Sequence, residues 1–176
     1  MTKFYLIRHG HTDYSGIDQR NFVGQGRDLA ALSTEGVEQI RNLRTDERLM
    51  NCEIIISSPY TRALQSAAIL SKELGVDIKI EIDLHEWVPD IVNYRHDSKS
   101  RCSELLKEYR LHNGAHPDGC RKEWETALNM KRRITSVLEL YKNYTKVIVL
   151  SHGMLLGQLV DLKDIENAEI IEYCLD

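Results

Sequence analysis

Unbroken apolar runs punctuate the chain, and stripes at helical spacing separate them. Phe4-Tyr5-Leu6-Ile7, Ile54-Ile55-Ile56 and Val147-Ile148-Val149-Leu150 each read as a strand buried on both faces. Val76, Ile78, Ile80 and Ile82 alternate with Asp77, Lys79 and Glu81, the pattern of a half-exposed strand near a sheet edge. Ala168 to Cys174 predicts a last strand that closes an edge, because a short turn rather than a crossover helix precedes it. Between these runs, Ser33 suits an N-cap, Glu35 suits the first turn, and Val37, Ile40 and Leu43 recur at helical spacing. Ser58 and Pro59 predict the start of a second helix; Ala63, Ala67, Leu70 and Leu74 form its stripe and Gly75 its end. Ser100 to Leu111 predicts another helix, and Arg121 to Tyr144 is the longest helical pattern, with Trp124, Ala127, Leu128, Ile134, Val137, Leu138 and Tyr141 on one face. A short helix follows Ser151-His152-Gly153 and runs through Leu162, whereas residues 13 to 32 read as a long loop. Alternating strands and helices make this an α/β fold.

A chain of 176 residues is long enough for a real core and is read as one domain, 1-176. Its formal net charge of −4 argues against a nucleic-acid partner but not against an anionic substrate, since a few clustered arginines create a local positive field. Cysteines 52, 102, 120 and 174 are widely spaced and form no Cys-x-x-Cys pair, so they read as free thiols in a reducing, cytoplasmic setting. Met1-Thr2-Lys3 runs straight into the first strand, leaving no signal peptide, and no apolar stretch is long enough to span a bilayer, so no membrane association is expected. No sequence feature sets an oligomeric state.

The polar residues that end the strands change the picture. Arg8-His9-Gly10 follows the first run directly, where open α/β sheets place their ligands. Arg8 offers a planar fork of donors for phosphate oxygens, and His9 a nucleophile or a general base. Gly10 permits a turn and a close backbone approach to a ligand. The same triplet alone also fits a strand end with a surface Arg-His pair. Arg62, in the first turn of the helix after the second strand, stands where free N–H groups add a positive field, although one such arginine is ordinarily just solvated. Glu86 lies beside Trp87 just past the fourth apolar run; a carboxylate there suits a general acid, a salt-bridged surface glutamate is the other reading, and Asp90 is the rival acid. His112 and His116 have i, i+4 spacing, but Gly114 and Pro117 break the helix and no third ligand is evident, so no metal is expected. Gly24 and Gly26 read as turn glycines.

Four segments in order resemble the histidine phosphatase superfamily, also called the phosphoglycerate mutase-like family. They are Arg8-His9-Gly10; Leu32-Ser33-Thr34-Glu35-Gly36 with Gln39; Ser57-Ser58-Pro59-Tyr60-Thr61-Arg62-Ala63-Leu64-Gln65-Ser66-Ala67; and Val149-Leu150-Ser151-His152-Gly153. The resemblance runs from Phe4 to about Tyr173 and is weakest between Val88 and His116. It implies a three-layer α/β/α fold with a mostly parallel sheet and an antiparallel edge strand. It also implies a lid-like segment at about 88–118 that covers the active site. Glu86 matches the family's proton-donating glutamate, commonly set in Leu-x-Glu. Cys120, in Pro117-Asp118-Gly119-Cys120, stands where the family usually has Glu, and Ser15 where it often has Asn. Gln39 matches a family position and reads as structural.

What the resemblance implies chemically agrees with the residue types. His9, as a neutral imidazole, attacks phosphorus and becomes phosphohistidine; Arg8, Arg62 and His152 neutralise the equatorial oxygens without a metal or other cofactor. Glu86 protonates the leaving oxygen and then activates water. Thr12, Ser15 and Gly153 are the expected phosphate-side contacts, and Trp87, Tyr94 and Arg95 the contacts to the rest of a small phosphorylated metabolite. The expected activity is hydrolysis of a small phosphomonoester. The alternatives are a 2,3-bisphosphoglycerate-dependent phosphoglycerate mutase and a non-catalytic module that binds phosphorylated ligands. Family mutases follow the acid with Arg and a Tyr-Gly pair, whereas Trp87-Val88-Pro89 follows Glu86 here.

Overall fold

In the computed structural model, which describes residues 1–92, 98–119, 122–160, 162 and 164–175, the apolar runs form one five-stranded sheet. Its strands are β1 (Lys3–Arg8), β2 (Ile54–Ser57), β3 (Ile78–Ile80), β4 (Lys146–Ser151) and β5 (Ile170–Cys174), in the spatial order β3-β2-β4-β1-β5. The first four are mutually parallel, and β5 runs antiparallel along the outer edge of β1. The register pairs Arg8 with Ser151, and Ser57 with Leu150, so three strand ends finish side by side.

Successive side chains of a strand point to opposite faces, and both faces are covered. Phe4, Leu6, Ile56, Val147 and Val149 pack under α4 (Lys99–Leu111), α5 (Ala127–Leu140) and α6 (Gly153–Val160). Tyr5, Ile7, Ile55, Ile148 and Leu150 pack under α2 (Thr34–Asn42) and α3 (Thr61–Leu74). The result is the three-layer α/β/α arrangement with an antiparallel edge strand.

Several boundaries follow the sequence pattern. The Ser33 side chain caps α2 by accepting from Gly36 N–H, and Gly75 ends α3 in the left-handed conformation with φ 69°. Others do not. The loop of residues 13 to 32 contains a short helix, α1 (Ser15–Gln19), and a 3-10 turn, Gly24–Leu29. Ser58 does not cap α3; Tyr60 holds that position, because the Ser58 hydroxyl is drawn inward to His152. The fourth apolar run pairs only over Ile78–Ile80 before a 3-10 turn, Ile82–Leu84. The longest helical pattern starts late, at Ala127, since Thr126 caps there by accepting from Asn129 N–H. Trp124 is buried ahead of that helix, and Leu128 faces solvent. Cys52, Cys102 and Cys174 are free thiols. Tyr94, Arg95 and Cys120 lie outside the described residues. Among the described residues, no helix is long and apolar enough to cross a membrane.

Candidate active site

The ends of β1, β2 and β4 deliver four polar residues to one place. Arg8 is the last residue of β1 and His9 follows it. Arg62 stands in the first turn of α3, after β2. His152 stands between β4 and α6. The sheet order makes these strands neighbours, although the residues are far apart in the chain. The rings of His9 and His152 meet edge to face with centroids 5.1 Å apart, and Arg62 Nε donates to His9 Nε2 at 3.2 Å. His9, Arg62 and His152 are 6%, 5% and 0% exposed, which is unusual for such polar groups without a purpose.

Their hydrogen bonds fix the chemistry available. His9 Nδ1 lies 2.8 Å from the Gly10 carbonyl oxygen. A carbonyl only accepts, so the proton sits on Nδ1 and the lone pair on Nε2. Burial, first, and then the nearby Arg62 and Arg8 charges, push the His9 pKa down to about 3, against the opposing pull of the Gly10 bond. His9 is therefore a neutral imidazole with a free-electron-pair nitrogen directed at Arg62. Burial likewise holds His152 well below the ordinary histidine range, with Arg62 and His9 adding to the effect. Its Nε2 lies 2.7 Å from Ser58 Oγ. Asn167 Nδ2 donates to the His9 carbonyl at 2.8 Å, which ties the turn after β1 to the loop before β5.

Two buried nitrogen atoms in this group, Arg8 Nε and His152 Nδ1, have no hydrogen-bond partner. Arg8 is otherwise anchored by Nη1, which donates to the Ile165 carbonyl at 2.6 Å. Buried polar atoms are almost always paired, so two unpaired ones beside a polarised imidazole mark a place shaped for acceptor oxygens.

A cavity of about 230 Å³ opens beside Arg62, lined among others by Tyr14, Asp28, Tyr60, Glu86, Trp87 and Leu106. Glu86 reaches it after the 3-10 turn that follows β3. Its Oε1 accepts from Trp87 N–H at 2.9 Å and Leu155 N–H at 3.2 Å, and its Oε2 from Met154 N–H at 3.4 Å. The carboxylate thus caps α6, whose N-terminus favours negative charge.

The structure brings His9, Arg8, Arg62 and His152 together and places Glu86 and Trp87 on the adjoining cavity. Thr12 stays close to His9, its Oγ1 3.5 Å from Nδ1. Gly153 opens α6 beside Arg8; a Cβ there would come within 3.4 Å of Arg8 Nε. Ser15 is exposed in α1, its N–H bonded to Asp13 Oδ1 at 2.8 Å, and Tyr14 is the residue of that loop that lines the cavity. Asp90 also lines the cavity. Gly10 is small for another reason than expected: a Cβ there would stand 2.4 Å from the Gly36 carbonyl oxygen, so the close approach is to α2. Gln39 supports the same turn by accepting from His11 N–H at 2.8 Å.

Asp28, Tyr60 and Ser58 join the site without having been expected there from residue pattern. Asp28 pairs with Arg62 at 3.4 Å. Burial raises its pKa, and Arg62 pulls the other way. Tyr60 lies under the Arg62 guanidinium, 5.1 Å from its centroid, and edge-on to His152. The buried carboxylate before α5 is Glu125, not position 120. His112 and His116 form no metal pair: His116 Nε2 lies 2.9 Å from the Trp124 carbonyl, and its ring stacks on Trp124 at 4.0 Å. Among the described residues no group of three His, Cys, Asp or Glu side chains is arranged to hold a metal ion.

The sequence profile of the histidine phosphatase superfamily (branch 1) matches residues 4–172. The chain is 28% identical over 163 residues to the probable phosphoglycerate mutase GpmB of Escherichia coli (strain K12 / DH10B), covering 91% of this chain and 74% of that protein. Its fold is similar to that of a mycobacterial glucosyl-3-phosphoglycerate phosphatase, with TM-score 0.71, 17% identity and coverage of 97% and 89%. It is equally similar to a phosphoglycerate mutase from Bacillus anthracis str. Sterne, with TM-score 0.71, 21% identity and coverage of 97% and 86%. The fold is thus similar to that of a phosphatase and of a mutase, and the chain belongs to the histidine phosphatase superfamily, branch 1.

Proposed function

We propose that this protein is a phosphatase that hydrolyses a small phosphomonoester through a phosphohistidine intermediate on His9. One observation carries the reading: Arg8 Nε and His152 Nδ1 are buried and unpaired beside a neutral His9 whose electron pair is on Nε2. A phosphoryl group supplies acceptors for both and an electrophile for His9.

The phosphate dianion offers Arg62 stronger acceptors than an imidazole nitrogen, so the guanidinium turns to the phosphate and frees Nε2. Nε2 attacks phosphorus in line, forming the N–P bond as the P–O bond to the alcohol breaks. Arg8, Arg62 and His152 stabilise the charge on the equatorial oxygens. Ser58 Oγ accepts from Tyr60 N–H at 3.3 Å and lies 2.7 Å from His152 Nε2. In the proposed state the Ser58 O–H donates to Nε2 and the His152 proton stands on Nδ1, the nitrogen with no protein partner. Glu86 passes a proton from Oε2, the oxygen with only the long backbone contact, to the departing alkoxide. Water then attacks phosphorus, returns a proton to Glu86, and the N–P bond breaks to give inorganic phosphate. The small cavity sets the scale of the alcohol, with Trp87 and Leu106 offering it apolar contact and Asp28 an acceptor.

Rapid quench with phosphorus-labelled p-nitrophenyl phosphate tests the assignment. It should trap one acid-labile, base-stable adduct on His9, absent in His9→Ala. An adduct of the same kind in His9→Ala, or normal turnover by it, refutes the nucleophile.

A further inference from the structure

Arg133 is a largely enclosed cation that none of the chemistry above uses. It projects from the middle of α5 toward the segment that carries Glu86, 47 residues away in the chain. Its side chain is 11% exposed and that of its partner Glu125 only 8%. The two form a bidentate pair, Nε to Oε1 at 2.7 Å and Nη2 to Oε2 at 3.0 Å. The rest of the guanidinium is spent on backbone carbonyls: Nη1 donates to Asp83 and, at 2.8 Å, to His85, and Nη2 donates to Glu86 at 3.3 Å.

Glu125 grips the other end of the same segment. Its Oε2 accepts from Val88 N–H at 3.3 Å, and its own N–H donates to the Val88 carbonyl at 2.9 Å. Its carbonyl accepts Trp87 Nε1–H at 2.8 Å. Residues 83 to 88 lie beyond β3, which ends at Ile80, and the sheet holds them at Leu84, whose carbonyl accepts from Ser151 Oγ of β4 at 2.8 Å. The pair on and before α5 frames the rest of the segment, while α6 holds the Glu86 carboxylate. A guanidinium suits the task because its planar fork can serve a carboxylate and several carbonyls at once, which an ammonium cannot. The cost of burying both charges is met by the completeness of the hydrogen bonding.

We infer that Arg133, with Glu125, is a positioning residue that aims Glu86 at the leaving-group oxygen. The inference rests on the proposed role of Glu86 as proton donor. A displacement of about 1 Å in a catalytic group can cost on the order of 10²-fold in rate. An ammonium at position 133 keeps the charge but cannot reach all of these carbonyls, so Glu86 loses its register.

The experiment compares phosphoenzyme formation in single turnovers with two substrates, glycerol 2-phosphate and p-nitrophenyl phosphate. The alkoxide of the first needs a proton; the p-nitrophenolate of the second does not. Glu86→Gln is read first, and should slow only the glycerol substrate severely. Equal loss on both substrates removes Glu86 from the acid role and refutes that step and the inference together, leaving the His9 nucleophile to its own test. Given the leaving-group-dependent loss, Arg133→Lys should slow glycerol 2-phosphate by roughly 10- to 100-fold and leave p-nitrophenyl phosphate nearly unchanged. The double variant Arg133→Lys, Glu86→Gln should be no slower than Glu86→Gln alone, within about threefold, because both act on one proton transfer. Equal losses on both substrates in Arg133→Lys, or additive losses in the double variant, overturn the positioning role while leaving Glu86 as acid. Should Arg133→Lys fail to fold, Glu125→Asp is read in the same way, with the same two outcomes deciding.

Discussion

Burying His9 as a neutral imidazole ties the stability of the fold to pH. In the unfolded chain this side chain titrates near its ordinary value of 6.5, whereas in the fold its pKa is pushed down to about 3. Protons therefore bind the unfolded state first. Stability is fully present above about pH 6.5, falls as pH drops below it, and levels off only below about pH 3. At pH 5 proton uptake by the unfolded His9 favours unfolding by about 2 kcal/mol, and at pH 7 by only about 0.2 kcal/mol. The folded imidazole takes up almost nothing at either pH. His152 and His85, both lowered mainly by burial, act with the same sign, and Asp28, raised by burial, acts with the opposite one. Comparing the wild type with His9→Asn isolates the one histidine. Urea denaturation at pH 7 and pH 5 should show a stability drop smaller by about 2 kcal/mol in the variant, a difference of roughly 1 M in midpoint at an ordinary urea slope. An equal pH dependence in the two proteins would falsify the neutral, buried state of His9. The same state keeps the electron pair on Nε2 at pH 5, where an ordinary histidine would be protonated.

Two further outcomes follow from the geometry. Gly36 lies so close to the catalytic turn that a Cβ would stand 2.1 Å from the His11 carbonyl oxygen, so Gly36→Ala should destabilise the fold by about 1–3 kcal/mol, read by thermal or urea unfolding; unchanged stability would mean the contact is not tight. With 3-phosphoglycerate and catalytic 2,3-bisphosphoglycerate, inorganic phosphate should be the main product, because Trp87-Val88-Pro89 follows Glu86; fast formation of 2-phosphoglycerate without phosphate release would reverse the ranking of phosphatase over mutase.

The sheet was legible because its strands are apolar on both faces, a pattern that β1 and β4 keep without a break. The run that forms β5 is legible as a last, edge-closing strand, whereas its antiparallel direction is not, since α6 lies between β4 and β5. The helix before β4 starts later than its hydrophobic pattern predicts. Trp124 carries the apolar stripe one turn too far, and the Thr126 cap is a local event that a hydrophobic pattern does not register. Short elements were lost for a related reason. The five residues of α1 bury only Ile17, too little to print a period on the chain.

At the site, the division runs between residues that local sequence delivers and residues that tertiary structure recruits. Arg8, His9 and His152 stand at or just past strand ends, so finding the strand finds them. Arg62 is one helical turn from such an end. Asp28 and Ser58 reach the site differently. Asp28 comes from a 3-10 turn and meets Arg62 34 residues away; Ser58 looks like a cap and instead meets His152 94 residues away. Arg133 is harder still, since it stands among Lys131 and Arg132 on a helix where a run of cations ordinarily means a solvated face. Only the burial of its side chain and the loop carbonyls around it separate it from those neighbours. What the sequence hides here is therefore the frame and not the reagents. The reagents are fixed by what a phosphoryl group demands of any protein, while the frame depends on which helix this chain lays across the loop that carries Glu86.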